Sequence, residues 1–179
     1  FIASSKALLI TGTHLSTATV NAASRKALGF ARQHNVRTVL DIDYRPVLWG
    51  LTGRGDGEQR FIADDAVSAH LQSVLPLFDL IVGTEEEFLI AGGKPALLDC
   101  LQVVRELTPQ AVLVVKRGPL GCAVITGDIP ADIDDAFTIS GAQVEVMNVL
   151  GAGDAFLSGF LSVWLRGGDY GDACRTANA

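Results

Sequence analysis

Three consecutive stretches decide the fold class: Ala7-Leu8-Leu9-Ile10, the segment Thr17 to His34, and Arg37-Thr38-Val39-Leu40-Asp41. The first and third are short apolar runs of strand length. The middle segment is long and amphipathic, with Ser16 or Thr17 as its cap. Strand, helix, strand is a βαβ unit, and its crossover makes the two strands parallel neighbours in one sheet. The same alternation continues outward. Asp43 to Gly57 is an irregular stretch holding Pro46 and several glycines. Asp64 to Leu75 reads as a helix, Leu80-Ile81-Val82 as a strand, and Glu85 to Ala91 and Ala96 to Leu107 as two short helices. Pro109 separates the second of these from a strand over Ala111 to Val115. The expected core is therefore a parallel sheet with helices on both faces.

The pattern then changes. Gly121 to Thr126 and Phe137 to Val146 read as strands joined by an acidic turn, Asp128 to Asp135, which predicts an antiparallel edge. A long apolar helix from about Ala152 to Arg166 follows, with a stripe of Leu157, Phe160, Leu161 and Trp164 at helical spacing that predicts core packing. Gly167-Gly168-Asp169 ends it, and another helix starts near Tyr170. No internal repeat or low-complexity linker interrupts the chain.

Bulk properties exclude several classes. With 14 Lys plus Arg against 20 Asp plus Glu, the formal net charge of the 179 residues is −6, and no basic block is present. Such a chain is a poor non-specific binder of nucleic acid. No apolar run approaches the roughly 20 residues of a membrane span, and Phe1 to Lys6 lacks the layout of a signal peptide. Cys100, Cys122 and Cys174 are odd in number and far apart, which argues against a disulfide framework or a CxxC metal site and for a reducing cytoplasm. They are expected to pack rather than react. The chain opens without methionine and stops at Thr176-Ala177-Asn178-Ala179 inside a helical pattern, as a piece of a longer protein would.

In open α/β sheets ligands bind beyond the carboxyl ends of the strands. Those positions here carry Asp41-Ile42-Asp43-Tyr44-Arg45, Thr84-Glu85-Glu86-Glu87 and Lys116-Arg117-Gly118. Asn148-Val149-Leu150-Gly151-Ala152-Gly153-Asp154-Ala155-Phe156 carries more information than any of them. Gly151, Ala152 and Gly153 allow a tight turn that aims successive N–H groups at one point. The helix that follows adds partial positive charge there, so the segment can make an anion hole without a cationic side chain. Asp154 in the first helical turn could accept a hydroxyl proton as a phosphoryl group arrives, or only complement the helix dipole. A dinucleotide fingerprint fits worse: its sixth position is Phe156 rather than glycine, and the loop lies late in the chain.

Asn148 to Leu161, with the later Ser158-Gly159, resembles the C-terminal signature of the ribokinase-like (PfkB) carbohydrate kinases. The resemblance extends over the whole chain and implies a three-layer α/β/α fold with a mostly parallel sheet and an antiparallel edge. It also implies that residues 1–179 form the central and C-terminal part of one kinase domain. The family's N-terminal sugar-binding loop, its small β lid and its last helices would lie outside. Asp154 then corresponds to the catalytic base, and the backbone of Gly151, Ala152, Gly153 and Asp154 to the anion hole. Lys116, Gly118 and Gly121 match the nucleotide-side loop. Thr84 and Glu87 match an Asn-x-x-Glu motif that organises Mg²⁺ and phosphate through water, with Thr84 in place of the asparagine; a plain helix N-terminus would also favour these acidic residues. Asp41-x-Asp43-x-Arg45-x-x-Leu48-Trp49 resembles the pattern of members acting on keto-deoxy sugar acids. Arg45 would reach the phosphate or the acid end of the substrate, or else pair with Asp41 or Asp43. Trp49 reads as a packing residue.

The resemblance implies ATP and Mg²⁺ as cofactor and metal, with a monovalent cation left open. It implies a small sugar acid as substrate, foremost 5-dehydro-2-deoxygluconate in inositol catabolism, with 2-keto-3-deoxygluconate, fructose or a nucleoside as alternatives. A non-catalytic nucleotide- or sugar-binding sensor on the same fold is the rival of another class. The oligomeric state is left open: relatives often form a homodimer through the lid, which would lie outside this chain. Among the histidines, His14 reads as a solvated loop residue, and His34 and His70 as helix-surface residues.

Overall fold

The computed structural model describes residues 1–52, 61–142, 145 and 148–179. A six-stranded sheet runs in the order β1-β2-β3-β4-β5-β6, so every strand pairs with its neighbour in sequence. β1 (Ala7–Thr11), β2 (Arg37–Asp41), β3 (Leu80–Thr84) and β4 (Val112–Lys116) are parallel. β5 (Cys122–Ile125) and β6 (Phe137–Ile139) are antiparallel additions at one edge.

Strand order and helix placement are linked. Parallel crossovers are right-handed, so a sheet that grows in one direction puts its crossover helices on one face. α1 (Ala18–Gln33), α2 (Asp65–Gln72), α3 (Glu85–Gly92) and α4 (Leu97–Leu107) obey this. Their Leu28, Leu71, Phe88, Leu101 and Val104 pack with Leu40, Ile81, Leu113, Val115 and Ala123 of the sheet in one core. The alternate strand residues, Val39, Leu80, Val82, Val114, Cys122 and Val124, point to the opposite face. α5 (Ala152–Trp164) and α6 (Tyr170–Asn178) cover them with Phe156, Leu157, Phe160, Ala173 and Cys174. The expected α/β/α layering and antiparallel edge are both present.

Three expectations shift. The predicted helix over Asp64 to Leu75 stops at Gln72, with Asp64 as its cap and a separate 3-10 turn over Leu75–Leu77. Pro76 is the reason: it lacks the N–H that would bond the Gln72 carbonyl in a continuing α-helix. The predicted strand over Phe137 to Val146 ends at Ile139. Ile139 pairs with Cys122, the first residue of β5, so the partner strand has run out. The carbonyls of Ile139 and Ser140 instead accept the Asn178 side-chain N–H₂, each at 3.2 Å. Residues 143, 144, 146 and 147 of that prediction lie outside the described residues, as do residues 53–60 of the irregular stretch. His70, expected on a helix surface, is half-buried with its ring edge-on to Trp49 at 5.4 Å; the packing role expected of Trp49 is seen there. Among the described residues, no helix is long and apolar enough to cross a membrane.

Candidate active site

The carboxyl ends of β2, β3 and β4 and the N-terminus of α5 meet around one cleft of about 440 Å³. Asp41, Asp43 and Arg45 line it from β2 and the segment after it, Thr84 and Glu87 from the β3–α3 junction, Lys116 from β4, and Gly151, Gly153 and Asp154 from the turn into α5. Segments scattered from residue 41 to residue 154 thus converge because a parallel sheet aligns the ends of its strands.

The turn into α5 is built locally. Asn148 Oδ1 accepts the Leu150 N–H at 2.9 Å, closing a side-chain turn. Gly151 caps the helix at φ +82°, a left-handed conformation that a residue with a Cβ adopts only with strain. The Ala155 N–H closes the first helical turn on the Gly151 carbonyl at 2.9 Å. Ala152 departs from the expected anion hole: its N–H donates to the Val149 carbonyl at 3.2 Å, and it does not line the cleft. The N–H groups of Gly153 and Asp154 lie in the first helical turn, where no intrahelical acceptor exists. Donors open to an anion at Gly153 and Asp154 fall within the Gly151 to Asp154 backbone expected from the sequence, while the Ala152 N–H is used inside the turn. The Asp154 side chain belongs to an exposed residue at the mouth of the cleft.

Opposite α5 lies a group of buried charges. Lys116 Nζ is 3.2 Å from Asp41 Oδ1 and 3.7 Å from Glu87 Oε2. Side-chain exposure is 14% for Lys116 and 5% for Asp41. Burial pushes the Asp41 carboxyl up to about 6 despite the attraction of Lys116, and the charges of Glu87 and Asp43 push it further the same way. A Cβ built on Gly153 would stand 3.4 Å from Lys116 Nζ, so the ammonium faces the turn into α5 directly. Sequence reading placed Lys116 near the nucleotide but did not find Asp41 as its partner.

Thr84 and Glu87 form a reciprocal cap. Thr84 Oγ1 accepts the Glu87 N–H at 3.2 Å, and Glu87 Oε2 accepts the Thr84 N–H at 2.7 Å. Glu87 Oε1 also accepts the Tyr44 N–H at 3.3 Å. The threonine at the asparagine position therefore keeps the capping function, since either residue type can cap a helix. Arg45 is largely exposed and its Nε donates to Asp43 Oδ1 at 3.0 Å, the local pair foreseen as one alternative. Asp43 itself adopts φ +32°, an uncommon conformation for a residue with a side chain, and holds this pair at the cleft edge.

Gly118 and Gly121 do not line this cleft. They shape the β4–β5 turn at φ +56° and +87°, and a Cβ on Gly121 would collide with the Ile139 carbonyl oxygen. His14 lies apart as well; its Nδ1 accepts the Thr11 N–H at 3.1 Å and caps a 3-10 turn.

Four carboxylates and two cations line the cleft. This excess of negative charge suits a divalent cation accompanying a polyphosphate. Among the described residues no cluster of three or more acidic, histidine or cysteine side chains is arranged to hold a metal. These carboxylates fit a Mg²⁺ that keeps several waters, and Glu87 is the residue that would help hold it.

Comparison with known proteins gives the chain's family and confirms its fold. A 5-dehydro-2-deoxygluconokinase of Photobacterium profundum is 30% identical over 185 residues, covering 100% of this chain and 50% of that protein. The chain spans about half the length of the curated relatives it matches. A PfkB protein from Polaromonas sp. JS666 shares the fold with a TM-score of 0.76 at 22% identity, over 99% of this chain and 52% of that one. An aminoimidazole riboside kinase from Salmonella enterica, complexed with aminoimidazole riboside and an ATP analog, gives a TM-score of 0.74 at 19% identity, over 95% of this chain and 52% of that one. The family model for pfkB family carbohydrate kinases matches residues 57–179, more than half of the sequence and including the whole turn into α5. The chain belongs to the pfkB family of carbohydrate kinases.

Proposed function

We propose that the protein transfers the terminal phosphoryl group of ATP to a hydroxyl of a keto-deoxy sugar acid, with 5-dehydro-2-deoxygluconate as the preferred acceptor. The observation that carries this reading is the meeting of Asp154, the free end of α5 and Lys116 around one cleft. The curated relatives named for that substrate support the choice of acceptor.

The acceptor hydroxyl gives its proton to Asp154 while its oxygen forms a bond to the terminal phosphorus. The bond from that phosphorus to the bridging oxygen breaks, and the electron pair leaves with ADP. The N–H groups of Gly153 and Asp154, with Lys116, face the charge on the transferred group. Mg²⁺, when bound with the nucleotide, neutralises phosphate charge there. Glu87 would help hold it through water, and Arg45 at the cleft edge takes the carboxylate of the sugar acid. Gly118 and Gly121 act on the nucleotide through the shape of the β4–β5 turn. Residues 1–179 constitute a partial kinase domain, set in the cytoplasm.

The test is ATP-dependent ADP release by the full-length protein with 5-dehydro-2-deoxygluconate, 2-keto-3-deoxygluconate and fructose side by side. Fastest turnover with the first is expected. Fastest turnover with another sugar would overturn the substrate and keep the reaction. ATP binding without turnover on any sugar would favour a sensor.

A further inference from the structure

We propose that Asp41 is a positioning residue: it holds the Lys116 ammonium against the turn into α5, making Lys116 the fixed protein cation that faces the transferred phosphoryl group. This rests on the kinase reading above and divides the labour within the cleft.

Asp41 lies in β2 and Lys116 in β4, with β3 between them. Two strand spacings amount to about 9–10 Å, so only a long side chain leaning across the end of β3 closes the gap. In register, Asp41 sits beside Val82, and Val82 beside Val114. Lys116, two residues past Val114, shares their face, the one that α5 covers. Both side chains therefore leave the sheet beneath the α5 N-terminus.

Glu87 cannot do the same work. Both of its oxygens accept backbone N–H groups, and its contact with Lys116 is the longer one, 3.7 Å against 3.2 Å. Asp41, by contrast, has Lys116 Nζ as its one side-chain partner among the described residues. Arg45 is a poor alternative cation because it is exposed and tied to Asp43. A lysine ammonium is a point charge on a flexible stem, so a nearly buried carboxylate that fixes its place adds order where the transition state needs it.

The test is a double-mutant cycle in the full-length protein with Asp41→Asn and Lys116→Met. Each single variant should lower kcat, Lys116→Met by about a hundredfold and Asp41→Asn by about tenfold, with little change in the KM for the sugar. In the Lys116→Met background, Asp41→Asn should cost nothing further, because its effect passes through the lysine. Asp41→Glu, which keeps the charge, should recover part of the loss and covers the case in which Asp41→Asn fails to fold. An Asp41→Asn loss that persists without Lys116, or a folded Asp41 variant with unchanged kcat, would overturn the proposal. The same cycle read as affinity for inorganic phosphate by calorimetry needs no turnover, so it decides the role of the pair even if no sugar is phosphorylated. There Lys116→Met should weaken binding about tenfold, and Asp41→Asn should change nothing more in its presence. Unchanged phosphate affinity in Lys116→Met would likewise overturn it.

Discussion

The two walls of the cleft are made in different ways. On the sheet side, Asp41, Lys116 and Glu87 are buried, ion-paired or held by backbone donors, and each comes from a different segment. On the α5 side, Asn148 to Asp154 form a continuous stretch whose residues are mostly exposed and whose shape comes from one side-chain turn and one left-handed glycine. The first wall needs the whole fold to exist, whereas the second is nearly complete in its own sequence. Chemistry that must be pre-organised sits on the sheet. The group that must meet a substrate hydroxyl sits at the open wall.

The strongest way to break this contrast is Asp154→Asn in the full-length protein. It should lower kcat on the order of 10²–10⁴-fold in an ADP-release assay while the KM for ATP barely moves. A parallel loss of nucleotide affinity would assign Asp154 to binding instead.

The sheet wall makes its own prediction through pH. The Asp41 carboxyl titrates near 6 in the folded chain against an ordinary value of 3.8. Its native state thus holds the proton more tightly than the unfolded chain does. That contribution to stability is fully present below about pH 4 and is lost as the pH rises through about 6. The whole change is about 3 kcal/mol at most. Urea unfolding at pH 4 and pH 7 should show wild type losing stability relative to Asp41→Asn across this interval. A pH-independent difference would mean that Asp41 is ionised in both states.

Smaller effects are expected from the α3 cap and the cleft edge. Thr84→Ala should lower stability by about 1 kcal/mol in urea unfolding, and Thr84→Asn should leave it unchanged or slightly raised. Arg45→Ala should change stability by less than about 0.5 kcal/mol, because its pair with Asp43 is exposed. Its effect should appear in the KM for the sugar acid, and an unchanged KM would leave Arg45 outside the substrate contacts.

This contrast also explains what could be read from the sequence. The βαβ alternation was legible because apolar periodicity is local, and the turn into α5 because its residues are contiguous. The Asp41–Lys116 pair was not, since its members lie 75 residues apart with a strand between them. Spacing alone offered Asp41 and Asp43 equally to Arg45. The end of β2 decides between them: Asp41 is its last residue and points under α5, while Asp43 lies past it at φ +32° and pairs with the arginine. β6 was read too long because β propensity does not register where a partner strand ends. That the Ala152 N–H is used inside the turn was not legible, because the sequence does not show which N–H groups a turn consumes.

The nearest-neighbour order of the six strands has a consequence for biosynthesis. Each strand docks on the one translated just before it, so the sheet can extend as the chain leaves the ribosome, with no waiting for a distant partner. The helices of the first face arrive in step with it. The second face is completed later within residues 1–179: Val39, Leu80, Val82 and Val114 meet α5 and α6, the last elements of this stretch to be made.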